Sequence, residues 1–316
     1  MSRVDAARDA EWRPALAGAL AGACGALASH PLDVVKTRMQ VRDDVPLGRG
    51  VSARDVFRDA LRREGARGVF AGAVPACAGS ALSWGVYLAW YDGARRRYGD
   101  ALGRTGEGAV RAEANALAAT EAGVVTTAVT NPIWVVKTRL QLQRGGGGGV
   151  GVGGDGRYRG FVDALGTIAR KEGVRGLYKG FVPSLLLVSH GSIQLTAYEG
   201  LREAFGSGRE RSARTGKREI NPTEAGAIGL ASKFIAVSTT YPLQVIRSRM
   251  QQREDVPRAA DAPTYRRFAR ALAQTAQREG FLGLYKGFVP NVLRVLPNSA
   301  VTFAAYEGFM VVLNEW

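Results

Sequence analysis

An eight-residue pattern that begins with proline occurs three times in this chain, and this repetition limits the possible folds more than any other feature. Its copies are Pro31–Arg38, Pro132–Arg139 and Pro242–Arg249. A Glu-Gly pair follows each copy, beginning at residues 64, 172 and 279, and an aromatic residue followed by an acid closes each unit, beginning at residues 91, 198 and 306. Motifs that recur in one order indicate copies of one structural unit. We place the three copies at residues 12–100, 112–206 and 222–314.

Each unit contains apolar stretches that are long enough to cross a membrane. The 24 residues between Arg67 and Asp92, and the 19 between Lys179 and Glu199, include no Asp, Glu, Lys or Arg. About 20 apolar residues span a hydrocarbon core that is about 30 Å thick. Four corresponding stretches are shorter or contain a charge: Ala15–Val35, Ala114–Val136, Glu224–Ile246 and Val292–Leu313. Because these stretches lack the alternation of barrel strands, the repeat predicts an all-α membrane protein with six transmembrane helices.

Positive charge is concentrated in the segments that follow the three prolines. Lys36–Arg67, Lys137–Lys179 and Arg247–Lys286 together contain 27 basic and 12 acidic residues, and the difference equals the whole formal net charge of +15. In a six-helix bundle these segments lie on one side, which the positive-inside rule makes the interior side. A nucleic-acid-binding protein is a distant alternative for so basic a chain. However, the basic residues lie in loops between apolar spans, so we expect no nucleic-acid partner.

The composition excludes several other classes of protein. With Cys24 and Cys77 as its two cysteines and only two histidines, the chain cannot form a disulfide-rich scaffold or a four-ligand zinc site. It contains no phosphate-binding loop and no nucleophile-base constellation, so we expect no enzyme activity, no metal and no cofactor. Asp5, Asp9 and Glu11 argue against a cleaved presequence that is poor in acids.

The triple Pro-x-acid-x-x-base-x-base pattern with its following Glu-Gly resembles the signature of the mitochondrial carrier family over the whole chain. The resemblance implies a threefold pseudosymmetric barrel of six tilted helices around a central cavity, with short helices on the matrix side. It implies that the protein, as a monomer, exchanges an anionic metabolite by opening alternately to the two sides. The membrane would be the mitochondrial inner membrane or, alternatively, the plastid envelope. The signature prolines at which helices would kink are Pro31, Pro132 and Pro242.

The resemblance also assigns a matrix gate, in which acids and bases of neighbouring repeats form ion pairs. Asp33 can reach Lys137, whereas Trp134 occupies the second acid position and leaves Arg247 without a partner. Gln244 occupies the third acid position, and it can only hydrogen-bond to Lys36, the remaining base of the gate. The glutamines that brace this gate in the family correspond here to Gln40, Gln141 and Gln251.

A second gate is implied at the cytoplasmic face. Asp92 can pair with Arg202, and Glu307 can pair with Arg95, but Glu199 meets no base. The aromatic residues that precede these acids are Tyr91, Tyr198 and Tyr306. Anionic lipid is a further expected partner, because helices that begin after Gly72, Gly180 and Gly287 would present free backbone N–H groups.

Charged residues inside membrane spans are costly and usually mark a transport pathway. Glu121 and Lys233 lie about 16 Å and about 13 Å before the prolines of their helices, near the middle of the membrane. They either bind substrate or bridge each other. Arg294, at the beginning of the last span, is the expected anion ligand, because a guanidinium matches the fork of a carboxylate or phosphate.

Three further residues could contact the substrate. His190 and Gln194 lie four residues apart on the fourth span, although a histidine on an apolar face usually packs. Trp84 could stack on a planar ring or pack against apolar neighbours. Within the family, Asn131–Gln141 and Ser189–Gln194 resemble the branch that carries folate, flavin, nicotinamide and pyrimidine nucleotides. The segments predict a carrier of folate or a related flat-ring anion; the alternatives are FAD, NAD and pyrimidine nucleotides.

Overall fold

The computed structural model describes residues 3–41, 52–101, 109–143, 158–206, 221–252 and 267–315. The glycine-rich part of the second basic segment (residues 145–156) and parts of the first and third lie outside these ranges. The side chains of Asp5, Asp9 and Glu11 are also outside the described part of the chain, so the expectation about a presequence is not addressed by the fold.

The described residues form ten α-helices and one short 3₁₀ turn and include no strand, so the all-α prediction is confirmed. In chain order the helices are α1 (Arg3–Gln40), α2 (Ala53–Val69), α3 (Ala73–Ala101), α4 (Ala109–Leu142), α5 (Phe161–Leu177), α6 (Phe181–Leu186), α7 (Ser189–Phe205), α8 (Pro222–Met250), α9 (Phe268–Glu279) and α10 (Phe288–Glu315). The 3₁₀ turn is Phe281–Tyr285, between α9 and α10.

The order of helices repeats three times, as the sequence motifs do. The long helices α1, α4 and α8 each contain a signature proline and continue for two turns or more beyond it. The short helices α2, α5 and α9 follow, and each repeat ends with a second apolar segment: α3, then α6 with α7, then α10. A kink at the three prolines stays a prediction.

The glycine of each Glu-Gly pair turns the chain at the same point of every repeat. Gly65, Gly173 and Gly280 have φ angles of 65°, 66° and 72°. An L-residue with a side chain rarely adopts this left-handed conformation, so glycine is required there. The helical φ/ψ pattern of α2 and α5 is interrupted at this glycine, and α9 ends at it.

The fourth apolar segment is predicted as one span but consists of two helices, α6 and α7. At the interruption, a backbone hydrogen bond joins residues that are three positions apart instead of four. Val188 keeps helical φ and ψ angles of −60° and −32°, while its N–H donates to the carbonyl of Leu185, three residues earlier. The hydroxyl of Ser189 donates to the carbonyl oxygen of Leu186 at 2.7 Å. The segment therefore still runs as one helical rod with a 3₁₀-like turn in it.

Hydropathy alone identifies fewer spans than the repeat does. Among the described residues, the stretch Phe281–Leu313 is long and apolar enough by itself, and the pair Ala53–Val69 and Ala73–Ala101, bent by 51°, qualifies together. The other spans contain interrupting charges or turns, so six spans are assigned from the threefold repeat. Large apolar side chains that are exposed on the bundle helices, such as Phe303 at 70%, fit a lipid-facing surface.

The chain forms two compact units. The first contains Met1–Gly85, Thr130–Gly180 and Ser248–Trp316, and the second contains Val86–Val129 and Phe181–Arg247. In the first unit α1 packs closely against α10, since a Cβ added to Gly25 would lie 2.0 Å from Oγ1 of Thr302. In the second, a Cβ on Gly123 of α4 would lie 2.6 Å from Cγ1 of Val188. Glycine permits close helix approach in each unit.

Candidate functional site

The carboxylate of Asp33 lies at the centre of a buried polar cluster in the first unit. Its Oδ2 is 2.6 Å from Nζ of Lys137 and accepts a hydrogen bond from Nε2 of Gln141 at 2.9 Å. Its Oδ1 is 3.0 Å from Nη1 of Arg294. We call these four residues the Asp33 cluster. The Asp33–Lys137 pair is the one that the family resemblance implies, whereas the sequence does not predict the contact with Arg294.

The position of Asp33 follows from the local sequence of α1. It lies two residues after the proline and is 5% exposed, so its carboxylate requires partners. One turn later, Oγ1 of Thr37 is 2.8 Å from Oε1 of Gln141. This contact identifies the oxygen of the Gln141 amide and directs its Nε2 towards Asp33. Each carboxylate oxygen of Asp33 therefore has a cationic partner.

A ring of arginines connects the three repeats on the same side. The arginine seven residues after each proline donates through Nε to the main-chain oxygen of the bracing glutamine of another repeat. The donor-acceptor pairs are Arg38 with Gln141 at 2.9 Å, Arg139 with Gln251 at 3.2 Å and Arg249 with Gln40 at 2.9 Å. Because the three bonds follow one another around the repeats, the ring ties the ends of all three proline-containing helices together.

The same arginines bind the glutamate of the Glu-Gly pair of their own repeat through both terminal nitrogens. The pairs are Arg38 with Glu64, Arg139 with Glu172 and Arg249 with Glu279. Sequence analysis missed these contacts, although the arginine and the glutamate recur together in all three repeats. Such two-point, charge-assisted contacts are among the strongest side-chain hydrogen bonds.

Trp134 breaks the threefold pattern of the cluster. Gln251 corresponds to Gln141, and its Oε1 accepts from the hydroxyl of Thr138 at 2.7 Å. Gln141 donates its Nε2 to Asp33, but the residue of the second repeat that corresponds to Asp33 is Trp134, whose side chain offers no acceptor. Nε2 of Gln251 is buried without a hydrogen-bond partner in the part of the chain that the structure describes. The indole of Trp134 instead donates to Thr130 and lies 5.2 Å from Nζ of Lys137.

Arg247 takes part in an interaction in the structure. That no acid of the gate pairs with Arg247 stays a prediction. Lys36 and Gln244 also take part in interactions.

Glu121 binds residues of α3. Its Oε1 accepts from Nε1 of Trp90 at 2.8 Å and from Nη2 of Arg97 at 2.5 Å. Within the described residues no hydrogen bond or ion pair joins Glu121 to Lys233, so the alternative that these two bridge each other is wrong. The physical reason is that Arg97 of α3 lies directly beside Glu121 and neutralises it.

The other expected substrate contacts are distributed over both units. His190 Nδ1 is 2.9 Å from the hydroxyl of Thr240, an arrangement that fits a packing role. Gln194 and Lys233 are half-buried, and Trp84 is 66% exposed. Substrate binding by these residues stays a prediction.

Four of the five charged residues of the expected cytoplasmic gate lie at the surface, and Arg202 is half-buried. Asp92, Arg95, Glu199 and Glu307 are exposed, and among the described residues of the second unit no ion pair joins Asp92 to Arg202. The aromatic residues of this motif are partly buried: Tyr91, Tyr198 and Tyr306.

The three glycines before the second helix of each repeat adopt left-handed conformations. Gly72, Gly180 and Gly287 have φ angles of 79°, 74° and 80°, and α3, α6 and α10 begin directly after them. A Cβ on Gly72 would also lie 3.0 Å from the carbonyl oxygen of Lys137. Lipid binding at these helix starts stays a prediction.

Glu172, in a short helix outside the membrane spans, gives a testable pH dependence. Burial raises the pKa of its carboxyl, but hydrogen bonds from Arg139 and Lys179 outweigh this effect and lower the pKa from 4.5 to about 2. Because the pKa of Glu172 is lower in the folded state than in the unfolded state, its ionised form stabilises the fold fully above pH 4.5. This stabilisation is lost as the pH falls towards about 2. We expect the melting temperature of the wild type to fall more steeply over this range than that of Glu172→Gln. Parallel melting curves for the two proteins would contradict this assignment.

Comparison with known proteins identifies the family. The sequence profile described as "Mitochondrial carrier protein" matches residues 9–102, 110–209 and 218–315. Over 314 residues, and 96% of each chain, the protein is 43% identical to "Folate transporter 1, chloroplastic" of Arabidopsis thaliana. It is 35% identical to "Mitochondrial nicotinamide adenine dinucleotide transporter 1" of Saccharomyces cerevisiae, over 93% of this chain and 75% of that one. It is 34% identical to "Nicotinamide adenine dinucleotide transporter 1, chloroplastic" of Arabidopsis thaliana, over 93% of this chain and 89% of that one. With three matched repeats that cover almost its whole length, the chain belongs to the mitochondrial carrier family.

Proposed function

We propose that this protein transports folate, or a closely related flat-ring anion, across an organelle membrane by alternating access. The relatives are transporters of chloroplasts and mitochondria, which supports a carrier rather than an enzyme or a nucleic-acid-binding protein. The observation that carries the choice of folate is the 43% identity to a folate transporter over 96% of both chains. Mitochondrial inner membrane and plastid envelope are the two locations that fit these relatives.

The chemistry of the Asp33 cluster supports an anionic substrate. Asp33 supplies one negative charge, while Lys137 and Arg294 supply two positive charges within hydrogen-bond distance of it. The side chain of Arg294 is 34% exposed, so solvent or a ligand can reach it. Arg294 is therefore the proposed ligand for a carboxylate or phosphate of the substrate.

The remaining contacts of the substrate are proposed residue by residue. Lys233, a half-buried cation of α8, is a second candidate anion ligand. Trp84, Gln194 and Glu121 are candidates for contacts with the ring, and Trp84 is the most exposed of them. His190, which contacts Thr240, is retained as a candidate for a polar contact.

Alternating access requires gates that close one at a time. The Asp33 cluster is closed in this structure, and within the described residues of the second unit no ion pair joins Asp92 to Arg202. We propose that the cluster and its bracing glutamines form the matrix gate, and that the motif containing Asp92, Glu199 and Glu307 forms the cytoplasmic gate. We also propose that anionic lipid binds at the starts of α3, α6 and α10, and that the protein functions as a monomer.

A nicotinamide dinucleotide carrier is the second candidate, because two of the relatives described above transport that dinucleotide by name. Against it stands Gln244, at a position where nicotinamide carriers are expected to have an acid. FAD and pyrimidine nucleotides are further candidates because they combine a ring with anionic groups.

Binding-induced shifts of the melting temperature test the proposal. The purified protein is heated with folate, FAD, NAD or a pyrimidine nucleotide, each at the same concentration. A ligand that binds only the folded state raises the melting temperature by mass action, with about 2.7 kcal/mol at one hundred times its Kd. We expect folate to give the largest shift. A larger shift with NAD, and none with folate, would overturn the proposed substrate.

A further inference from the structure

A contact with Thr240 determines which nitrogen of the His190 imidazole carries the proton. Nδ1 of His190 lies 2.9 Å from Oγ1 of Thr240. The hydroxyl of Thr240 donates its own proton to the carbonyl oxygen of Ala236 at 2.7 Å, so towards His190 this hydroxyl only accepts. The carbonyl of Ala236 also acts on His190 as an acceptor. Nδ1 of His190 therefore carries the ring proton.

The other ring nitrogen, Nε2, is left as a hydrogen-bond acceptor. In a neutral imidazole one nitrogen donates and the other accepts, and imidazole is largely neutral at about pH 8. His190 is half-buried rather than enclosed, and within the described residues the side-chain hydrogen bond of the ring is made by Nδ1. The second unit therefore presents an acceptor with a fixed direction to a ligand beside α7.

Two further polar residues lie on the same helix faces as this histidine and threonine. Gln194 follows His190 by one turn of α7, and Lys233 precedes Thr240 by two turns of α8. Residues at these spacings share a helix face. Both are half-buried, and the charge of Lys233 is close enough to act on the His190 ring. The acceptor of His190 therefore lies among groups that suit a polar ligand.

The flat rings of the proposed substrates carry the donor that such an acceptor requires. The pterin of folate has a ring N–H beside an amino group, and the flavin of FAD has a ring N–H between two carbonyl groups. A donor that is buried on binding and left unpaired reduces the affinity. An acceptor of fixed direction therefore favours a ring that presents an N–H at the matching place.

We propose that Nε2 of His190 accepts a hydrogen bond from a ring N–H of the substrate, and that Thr240 is the positioning residue that keeps this nitrogen unprotonated. The inference rests on the proposed function, because the ring belongs to the transported molecule. His190 recognises the ring, whereas Arg294 is the proposed ligand of its anionic groups. Without the hydroxyl of Thr240 the proton moves to Nε2, and His190 then presents a donor where the ring also presents one.

Titration of the full chain in detergent at about pH 8 tests the contact with two ligands. Folate carries the pterin, and p-aminobenzoylglutamate is the part of folate that lacks it. His190→Asn keeps a donor for Thr240 but has no acceptor at the place of Nε2, and Thr240→Val removes the hydroxyl at nearly constant volume. We expect each variant to raise the Kd of folate about fivefold, as for one lost hydrogen bond. The Kd of p-aminobenzoylglutamate should not change.

Two control variants separate this hydrogen bond from general stability. Thr240→Ser retains the hydroxyl, so it should bind folate as the wild type does. Thr239 is exposed and also donates to the carbonyl four residues earlier, that of Ile235, at 2.9 Å, so Thr239→Val should change neither Kd. If His190→Asn binds folate like the wild type, or if it weakens both ligands equally, the contact with the ring is wrong.

Nitrogen-15 NMR of the wild type locates the proton without depending on any variant. The chain contains two histidines, and Nε2 of His30 lies 3.0 Å from the carbonyl oxygen of Ala71, which only accepts. We therefore expect the proton on Nε2 in His30 and on Nδ1 in His190, and we expect folate to shift the Nε2 resonance of His190. A proton on Nε2 of ligand-free His190 would overturn this inference alone. A wild type that binds neither folate nor FAD would overturn the proposed substrate as well.

Discussion

Arg249→Gln is expected to destabilise the folded protein by about 1.5–3 kcal/mol, the usual contribution of a hydrogen bond to a charged group, because Lys286 keeps Glu279 paired at 2.7 Å. The Arg249 side chain is fully buried and that of Glu279 is 5% exposed. Two nitrogens of the Arg249 guanidinium donate to Glu279 at 2.6 and 2.8 Å, and the Nε of Arg249 donates to the main-chain oxygen of Gln40 at 2.9 Å. The substitution therefore removes a contact within the third repeat and a contact to the first.

Thermal unfolding in detergent measures the effect, and the chain offers a matched control. Arg63 also pairs with a carboxylate, that of Asp59, but the two side chains are 70% and 44% exposed. Exposed pairs contribute about 0–1 kcal/mol, so Arg63→Gln should leave the melting temperature nearly unchanged. Equal, small shifts for Arg63→Gln and Arg249→Gln would show that the arginine ring does not hold the repeats together.

Trp134→Asp is expected to slow transport about tenfold and to raise the melting temperature. A carboxylate at this position would accept a hydrogen bond from Nε2 of Gln251, which has no partner among the described residues. An unsatisfied buried donor costs about 1–3 kcal/mol, so satisfying it stabilises the closed state. Opening of the gate would then have to break this bond as well. A stabilisation of about 1.4 kcal/mol that is confined to the closed state lowers the rate of opening, and with it the rate of transport, about tenfold.

Trp134→Leu separates this effect from the loss of the indole. Leucine removes the contacts with Thr130 and Lys137 but adds no acceptor for Gln251. We expect this variant to be no more stable than the wild type and to transport at least as fast. If Trp134→Asp and Trp134→Leu change the uptake rate equally, the unsatisfied amide has no part in gating.

The repeated motifs were sufficient to predict the helices, and the family resemblance assigned one ion pair. The three prolines mark equivalent positions in α1, α4 and α8, and the resemblance pairs the acid two residues after one proline with the base five residues after the next, here Asp33 with Lys137. The arginine and the glutamate that form the buried pairs also recur in every repeat, but the sequence does not say that they meet, so these contacts were not predicted.

Contacts between residues without a repeated motif could not be predicted in this way. Arg294 has no counterpart in the other repeats that points to Asp33, so only the packing of α10 against α1 reveals the contact. Likewise Glu121 of α4 meets Arg97 of α3, whereas the sequence offered Lys233 as an equally reasonable partner. In both cases the charges were visible in the sequence, but the choice among possible partners depended on tertiary packing.

Uptake of labelled folate into proteoliposomes tests the central claim most directly. The account predicts saturable uptake by the wild type, with unlabelled folate competing better than NAD or pyrimidine nucleotides. It also predicts at least a tenfold loss of uptake for Arg294→Ala, because the substrate loses its guanidinium ligand, in a range typical for a lost charged hydrogen bond of about 1.5–3 kcal/mol. Wild-type uptake of folate by Arg294→Ala, or no folate uptake by the wild type, would contradict it.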